Sequence, residues 1–159
     1  MNPQRRAFLA LAATGALAGA AQAQTAETTA SRLSSSSAPA RGTVSAAPES
    51  VVFSGQAKIS SRFAPDPDFG SPHVIVTIDL RGITGVGSQT RAVYTVSEVE
   101  VVQRRLAPTH RLEVTFPYAR SGEQRVPQTG VAIVDLDFDV ATGALTRSAA
   151  SITTPNFGR

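Results

Sequence analysis

Apolar and polar side chains alternate along several stretches of this chain, and this period of two constrains the fold more than any other feature. From Val51 to Ser60, every second residue is apolar or small, and most of the residues between them are polar. Successive side chains of a β-strand point to opposite faces, so this pattern predicts a strand with one buried face. The same alternation recurs at 74–81, 111–118 and 134–140. The chain is therefore expected to be all-β.

The spacing of these stretches favours one antiparallel β-sandwich or flattened barrel of about six to seven strands, spanning residues 49–155. Such clean alternation argues against a parallel sheet that is buried on both faces. We expect the core to contain the large apolar residues of the inward phase. These are Phe53, Ile59, Val76, Ile78, Leu80, Val114, Phe116, Leu136 and Phe138.

The segments between these strands are less regular. Residues 91–106 change phase after Val96, which indicates a β-bulge near residues 97–98, with a short helix as the alternative. The glycines of 82–88 indicate a loop. Residues 140–144 read as a turn in which Gly143 takes positive φ. Residues 145–153 are weakly patterned and are expected to form an edge strand.

Residues 1–23 have the three parts of an export signal. Arg5 and Arg6 form the charged start, residues 7–20 are apolar and uncharged, and the Ala21–Ala23 segment has the small residues that a signal peptidase recognises. The apolar part is shorter than the roughly 20 residues that a membrane-spanning helix needs. We therefore predict a periplasmic or secreted protein, with no transmembrane anchor after cleavage.

The residues around the arginine pair also resemble a twin-arginine signal. The match covers Arg5, Arg6, Phe8 and Leu9, and it departs from the usual pattern at Gln4. The resemblance implies that the protein is exported after it has folded. A general secretory signal that happens to contain two arginines is the alternative.

Composition predicts flexible segments on either side of the β-domain. Residues 24–48 consist mainly of Ala, Ser and Thr, and have little large apolar surface to offset the entropy lost on ordering. They are expected to form a disordered tether between the signal and the domain. Residues 156–159 are expected to fray.

Charge and residue usage exclude several functions. Cleavage of the signal leaves 13 basic and 12 acidic side chains, and this near balance lacks the basic footprint of a nucleic-acid binder. The absence of cysteine excludes thiol catalysis, cysteine-bound zinc and disulfide stabilisation. No cofactor motif is found, so no cofactor is predicted.

Three aspartates form the most suggestive cluster for a metal site. Asp135, Asp137 and Asp139 share one face of a predicted strand, with neighbours roughly 7 Å apart. Carboxylates suit calcium, but calcium needs six or more converging oxygens and a straight row diverges. We therefore favour a solvated face balanced by arginines over a metal site, with Arg147 as a plausible partner.

Two further clusters suggest an activity or a partner. Asp66 and Asp68 lie on a proline-rich loop close to His73, and together they could serve a hydrolase as acid and base. Ile75, Val131 and Ile133 fall on the outward phase of their strands. If they cluster, they would mark an interaction surface.

The sequence as a whole favours a non-catalytic role. Our leading hypothesis is an exported β-domain that binds or structures a component of the cell envelope, its partner being an unknown envelope protein or a small ligand. One alternative is a carrier that encloses a small apolar ligand in a β-barrel. A hydrolase that uses the aspartate pair and His73 is the third hypothesis.

Overall fold

The computed structural model describes residues 33–65, 70–122 and 127–156, and within these ranges the chain is all-β. The described residues form nine strands, more than the six to seven predicted. The strands are β1 (Leu33–Val44), β2 (Val51–Ala64), β3 (His73–Asp79), β4 (Ile83–Gly87), β5 (Val93–Val96), β6 (Val99–Arg105), β7 (Thr109–Arg120), β8 (Gln128–Phe138) and β9 (Leu145–Thr153). These ranges contain no helix of the length and apolarity required to cross a membrane.

Hydrogen bonding between strands closes seven of the nine into a ring. The order around the ring is β1, β9, β8, β7, β5, β4 and β2, and β2 pairs again with β1. Neighbours are antiparallel except β1 and β9, which run parallel over residues 40–42. A closed ring corresponds to the flattened barrel of the two predicted architectures.

The long strand β2 gives the sheet a branch. Its first part, Val51–Gly55, pairs with β4, whereas Lys58–Ala64 pairs along the same edge with β3. β6 then pairs with the far side of β3 and ends the sheet. β1, β2, β3 and β6 therefore form a four-stranded wall with its own outer face.

The inside of the ring is filled by the inward-facing side chains of the alternating pattern. All nine predicted core residues are buried. At the centre, the Phe53 ring contacts Phe116 and Tyr118 edge to face, with centroid separations of 5.7 and 5.0 Å. Such contacts add to the stabilisation that the buried apolar area provides.

Part of the predicted tether is wrong, because residues 33–44 form β1 and pair with β2 throughout. The small residues of β1 permit close packing. Ala38 and Ala40 are buried, and a Cβ on Gly42 would collide with the carbonyl oxygen of Ile152 on β9. Residues 24–32, the signal (1–23) and residues 157–159 lie outside the described ranges.

The predicted loop at 82–88 is also wrong, because Ile83–Gly87 forms β4. Its glycines serve packing. A Cβ on Gly85 would come within 2.6 Å of a Val51 methyl and 2.7 Å of the Phe53 ring. Glycine lets this strand lie directly over two large core side chains.

The phase change after Val96 has a different cause from the predicted bulge. β5 ends at Val96 and β6 begins at Val99, and the two strands pair with different neighbours. Val99 and Val101 are consequently exposed rather than inward-facing.

Two predictions at the end of the domain were wrong and one was confirmed. Val140, the last apolar residue of the alternation predicted at 134–140, is 53% exposed rather than inward-facing because β8 ends at Phe138 and the chain turns. β9 lies between β8 and β1, so it is not an edge strand. Gly143 has φ of 69°, which confirms the predicted turn.

Candidate functional site

An open groove of about 540 Å³ lies on the outer face of the four-stranded wall. Its volume falls within the roughly 300–1,000 Å³ of small-molecule sites. We call it the outer groove and define it by the side chains Ser35, Ser37, Lys58, Ser60, Thr77, Asp79, Arg81 and Val99.

Strand register brings these distant residues together. Lys58 lies between Ser37 on β1 and Asp79 on β3, and Asp79 in turn lies opposite Val99 on β6. The next outward-facing row consists of Ser35, Ser60 and Thr77 on β1, β2 and β3, and it ends with Val101 on β6. The groove therefore has a charged row beside a row of hydroxyl groups.

Arg81 holds the carboxylate of Asp79 in a two-pronged contact. Its Nε donates to Oδ1 at 2.9 Å and its Nη2 to Oδ2 at 2.7 Å, and its backbone N–H also donates to Oδ1 at 3.0 Å. These bonds from Arg81, helped by its charge and that of Lys58, lower the pKa of Asp79 to about 2. The same contact raises the pKa of Arg81.

Lys58 is the cation of the groove that can still engage a ligand. In the described ranges, its ammonium takes part in no hydrogen bond or ion pair, whereas the guanidinium of Arg81 is occupied by Asp79. Arg41 and Arg62 lie exposed on the same outer face, on β1 and β2. The groove thus has an excess of positive charge, and two further arginines lie on the same face of the sheet.

The predicted aspartate row is divided among separate roles. Asp135 Oδ1 lies 3.6 Å from Arg111 Nη1 in an exposed ion pair. Asp139 Oδ1 accepts the N–H of Ala141 at 2.8 Å in the β8–β9 turn, and this bond lowers its pKa. Asp137 lies opposite Arg147 in the β8–β9 register. Across the described ranges, no three His, Asp or Glu side chains are placed to hold a metal ion.

The predicted hydrolytic cluster is represented in the structure by His73 alone. Asp66 and Asp68 lie outside the described ranges, so the convergence of the three side chains stays a prediction. His73 begins β3 opposite Arg105 on β6.

The predicted interaction residues lie on two separate surfaces. Ile75 is half-buried on β3 between Arg62 and Gln103. Val131 and Ile133 are half-buried on β8, where Ile133 lies between Glu113 of β7 and Ser151 of β9. β2, β1 and β9 separate β3 from β8, so the three side chains do not form one patch.

Glu49 is a structural site that the sequence analysis missed. Glu49 is only 5% exposed. Its carboxylate accepts hydrogen bonds from the N–H groups of Gln89 and Thr90 at 2.8 and 3.0 Å, and from the Tyr94 hydroxyl at 3.1 Å. The Thr90 hydroxyl bonds to it as well. These bonds, above all that from the Thr90 hydroxyl, lower the pKa of Glu49 to about 2. Glu49 thereby holds the turn between β4 and β5.

The space that Glu49 occupies depends on Gly87. A Cβ on Gly87 would come within 2.6 Å of the Glu49 carboxylate carbon. An acid two residues before a strand and a glycine 38 positions later carry no joint sequence signal. Only the pairing of β2 with β4 brings the two together.

Comparisons with protein-family models, curated proteins and solved structures gave no match. Any function proposed for this chain therefore depends on the chemistry of its own surfaces.

Proposed function

We propose that the protein is a non-catalytic binding domain of the cell envelope and that the outer groove binds an acidic glycan. The observation that carries this proposal is the ammonium of Lys58, which has no hydrogen bond or ion pair among the described residues. The one carboxylate among the described lining residues, that of Asp79, is held by Arg81. A carboxylate or phosphate on the ligand would complete the charge pairing.

The hydroxyl row supports a ligand that carries hydroxyl groups. Ser35, Ser60 and Thr77 can each donate and accept a hydrogen bond, and so can the hydroxyls of a sugar. The groove lies on the face of the sheet, where the backbone N–H and C=O groups already pair between strands. Recognition must therefore come from side chains, which argues against an extended peptide bound by backbone pairing.

The groove lining also predicts the character of binding. The described residues that line it include no aromatic ring, so none of them offers a surface for sugar stacking. Binding that depends on the charges of Lys58 and the nearby arginines should weaken as salt is added. We expect modest affinity for one sugar unit and a gain for longer chains, which also reach Arg41 or Arg62.

Calorimetric titration with an oligosaccharide of uronic acids, and with the neutral oligosaccharide of the same length, tests the proposal. We expect the acidic ligand alone to bind, and Lys58→Gln to weaken its binding about tenfold, the value of one charged hydrogen bond. The matched control is Arg147→Gln, which removes an exposed cation on β9 and should leave binding unchanged. Equal binding of both sugars, or no effect of Lys58→Gln, would contradict the proposal.

The carrier and hydrolase hypotheses have less support. A carrier would need space for its ligand inside the closed ring of strands. At the centre of that ring, the aromatic side chains of Phe53, Phe116 and Tyr118 pack against one another. The hydrolase depends on two aspartates outside the described ranges. Both remain predictions of the sequence alone.

A further inference from the structure

β6 has one unpaired edge in the part of the chain that the structure describes. It pairs with β3 along its whole length, Val99–Arg105, and no described strand pairs with its other edge. An unpaired edge exposes N–H and C=O groups that can bond to another strand. β6 is therefore where this fold can accept an additional strand.

The β3–β6 ladder determines which backbone groups are free. The N–H of Leu80 donates to the carbonyl of Glu98 at 3.0 Å, and that of Leu106 to the carbonyl of Pro72 at 2.8 Å. Residues of an antiparallel strand bond to a given neighbour at every second position, so the even-numbered residues of β6 bond to β3. The N–H and C=O groups of residues 99, 101, 103 and 105 then point to the open edge. Consistently, the carbonyl of Gln103 accepts a bond from the Arg104 side chain at 3.0 Å.

Two of the three charged side chains of β6 are placed symmetrically about its centre. Glu100 lies two residues before Val102 and Arg104 lies two residues after it, on the same side of the strand. When two β6 strands align antiparallel with Val102 opposite Val102, Glu100 of each copy faces Arg104 of the other. Acidic and basic side chains on an exposed edge usually discourage pairing, but these two are complementary to a second copy of themselves.

We propose that two copies of this chain form a two-fold symmetric dimer through antiparallel pairing of their β6 strands, centred on Val102. Val101 then exchanges backbone hydrogen bonds with Gln103 of the other copy, and Val99 does so with Arg105. Glu100 and Arg104 meet at positions without hydrogen bonds, where facing side chains are closest. A register centred on Val101 or on Gln103 would place Glu100 opposite an apolar side chain.

The outer face of the edge supports the same partner. Val101 is 60% exposed and Val99 is 39% exposed. In the dimer, Val99 lies beside Arg105 of the other copy, whose aliphatic stem can cover it. Each copy contributes the same strand to the interface, so the assembly closes at two.

Single cysteines test the register, because the chain has none of its own. In the proposed dimer the two Val102 Cα atoms lie about 4.5 Å apart, within the range that a disulfide bridges. The two Val101 Cα atoms lie roughly 8 Å apart, beyond that range. We expect Val102→Cys, and not Val101→Cys, to give a disulfide-linked dimer on oxidation. Failure of Val102→Cys to cross-link, or cross-linking of Val101→Cys, would overturn the proposed register.

Exchange of the charges provides a second test that does not alter the core-facing Val102. We expect light scattering to give twice the chain mass for the purified protein, and the monomer mass for Glu100→Arg and for Arg104→Glu. The double variant should restore the dimer. Glu113→Arg, an exposed reversal on β7, is the matched control and should remain dimeric. A monomeric parent protein, or a double variant that stays monomeric, would refute the dimer.

The dimer and the proposed ligand can fail separately. Lys58→Gln should reduce glycan binding and leave the dimer mass unchanged. Glu100→Arg should separate the dimer, and each separated copy should still bind the acidic sugar in preference to the neutral one.

Discussion

At the scale of single residues, glutamate and glycine positions show how local contacts determine this fold. Glu49 is buried with four donors around its carboxylate, two backbone N–H groups and two hydroxyl groups. Each donor favours the ionised form, which is why its pKa falls although burial alone would raise it. A buried acid of this type stabilises the fold only while it is charged.

The first prediction concerns pH. The pKa of Glu49 is about 2 in the folded protein, against its ordinary value of 4.5, so its contribution is complete above about pH 4.5 and is lost as pH falls towards 2. We expect Glu49→Gln to unfold at a lower urea concentration than the parent at pH 7, with a gap that narrows between pH 4.5 and 2. Glu113→Gln, on the exposed face of β7, is the control. A gap that stays constant with pH would show that the charge of Glu49 is not what stabilises the turn.

The second prediction concerns Gly42. Gly42→Ala forces a methyl group into the Ile152 carbonyl, which separates β1 from β9. We expect a loss of about 1–3 kcal/mol in the free energy of unfolding, as for overpacked cores. Thr43→Ala, at the exposed neighbouring position, should cost within about 0.5 kcal/mol. Urea denaturation measures both, and equal costs would contradict the close contact.

At the scale of elements, large apolar side chains predicted strands well and small ones did not. β2, β3, β7 and β8 each carry Val, Ile, Leu or Phe at several alternate positions, so their buried faces could be derived from this period of two. β1 and β4 contain Ala, Ser and Gly. Such residues occur both in flexible segments and where backbones approach closely, and the sequence does not reveal the neighbouring strand that decides between the two.

The candidate site was less predictable than the fold. The charged row of the outer groove joins Ser37, Lys58, Asp79 and Val99 from four strands. Their alignment depends on register, and a shift of one residue in any strand would turn its side chains to the other face. No local motif indicates such an alignment. Asp135, Asp137 and Asp139, by contrast, lie close together in the sequence, and for that reason they suggested a metal site.

The third prediction tests β1 as an element of the sheet. Ala40 is fully buried, so Ala40→Asp would place an unpaired charge in the core and should cost more than about 4 kcal/mol. Thr43→Asp, exposed on the same strand, should cost less than about 1 kcal/mol. Thermal unfolding followed by circular dichroism measures both. Were 33–44 a tether, the two variants would unfold at the same temperature as the parent.

At the scale of the whole molecule, the export signal predicted for residues 1–23 makes a testable prediction about where the domain works. We expect the protein in the periplasmic or secreted fraction, with a mass that corresponds to a chain beginning at Gln24. A variant that lacks residues 1–23 should remain in the cytoplasm. Accumulation of the complete chain inside the cell, with its first 23 residues attached, would contradict the predicted cleavage.

The arginine pair separates the two export routes. Changing Arg5 and Arg6 together to lysine keeps the positive charge that a general secretory signal requires but removes the twin-arginine pattern. Loss of export in this variant would identify the twin-arginine route, and unchanged export would identify the general one. Fractionation with an antibody to the β-domain gives the measurement.

The parallel contact between β1 and β9 has a consequence for how the protein is made. Ala40 pairs with Ala150, so the segments that complete the ring are 110 residues apart in the sequence. During synthesis β1 can form a hairpin with β2, yet its second edge waits until the ribosome has produced β9. Contacts between such distant segments make folding slow. The ring can therefore close only after translation has produced the final strand.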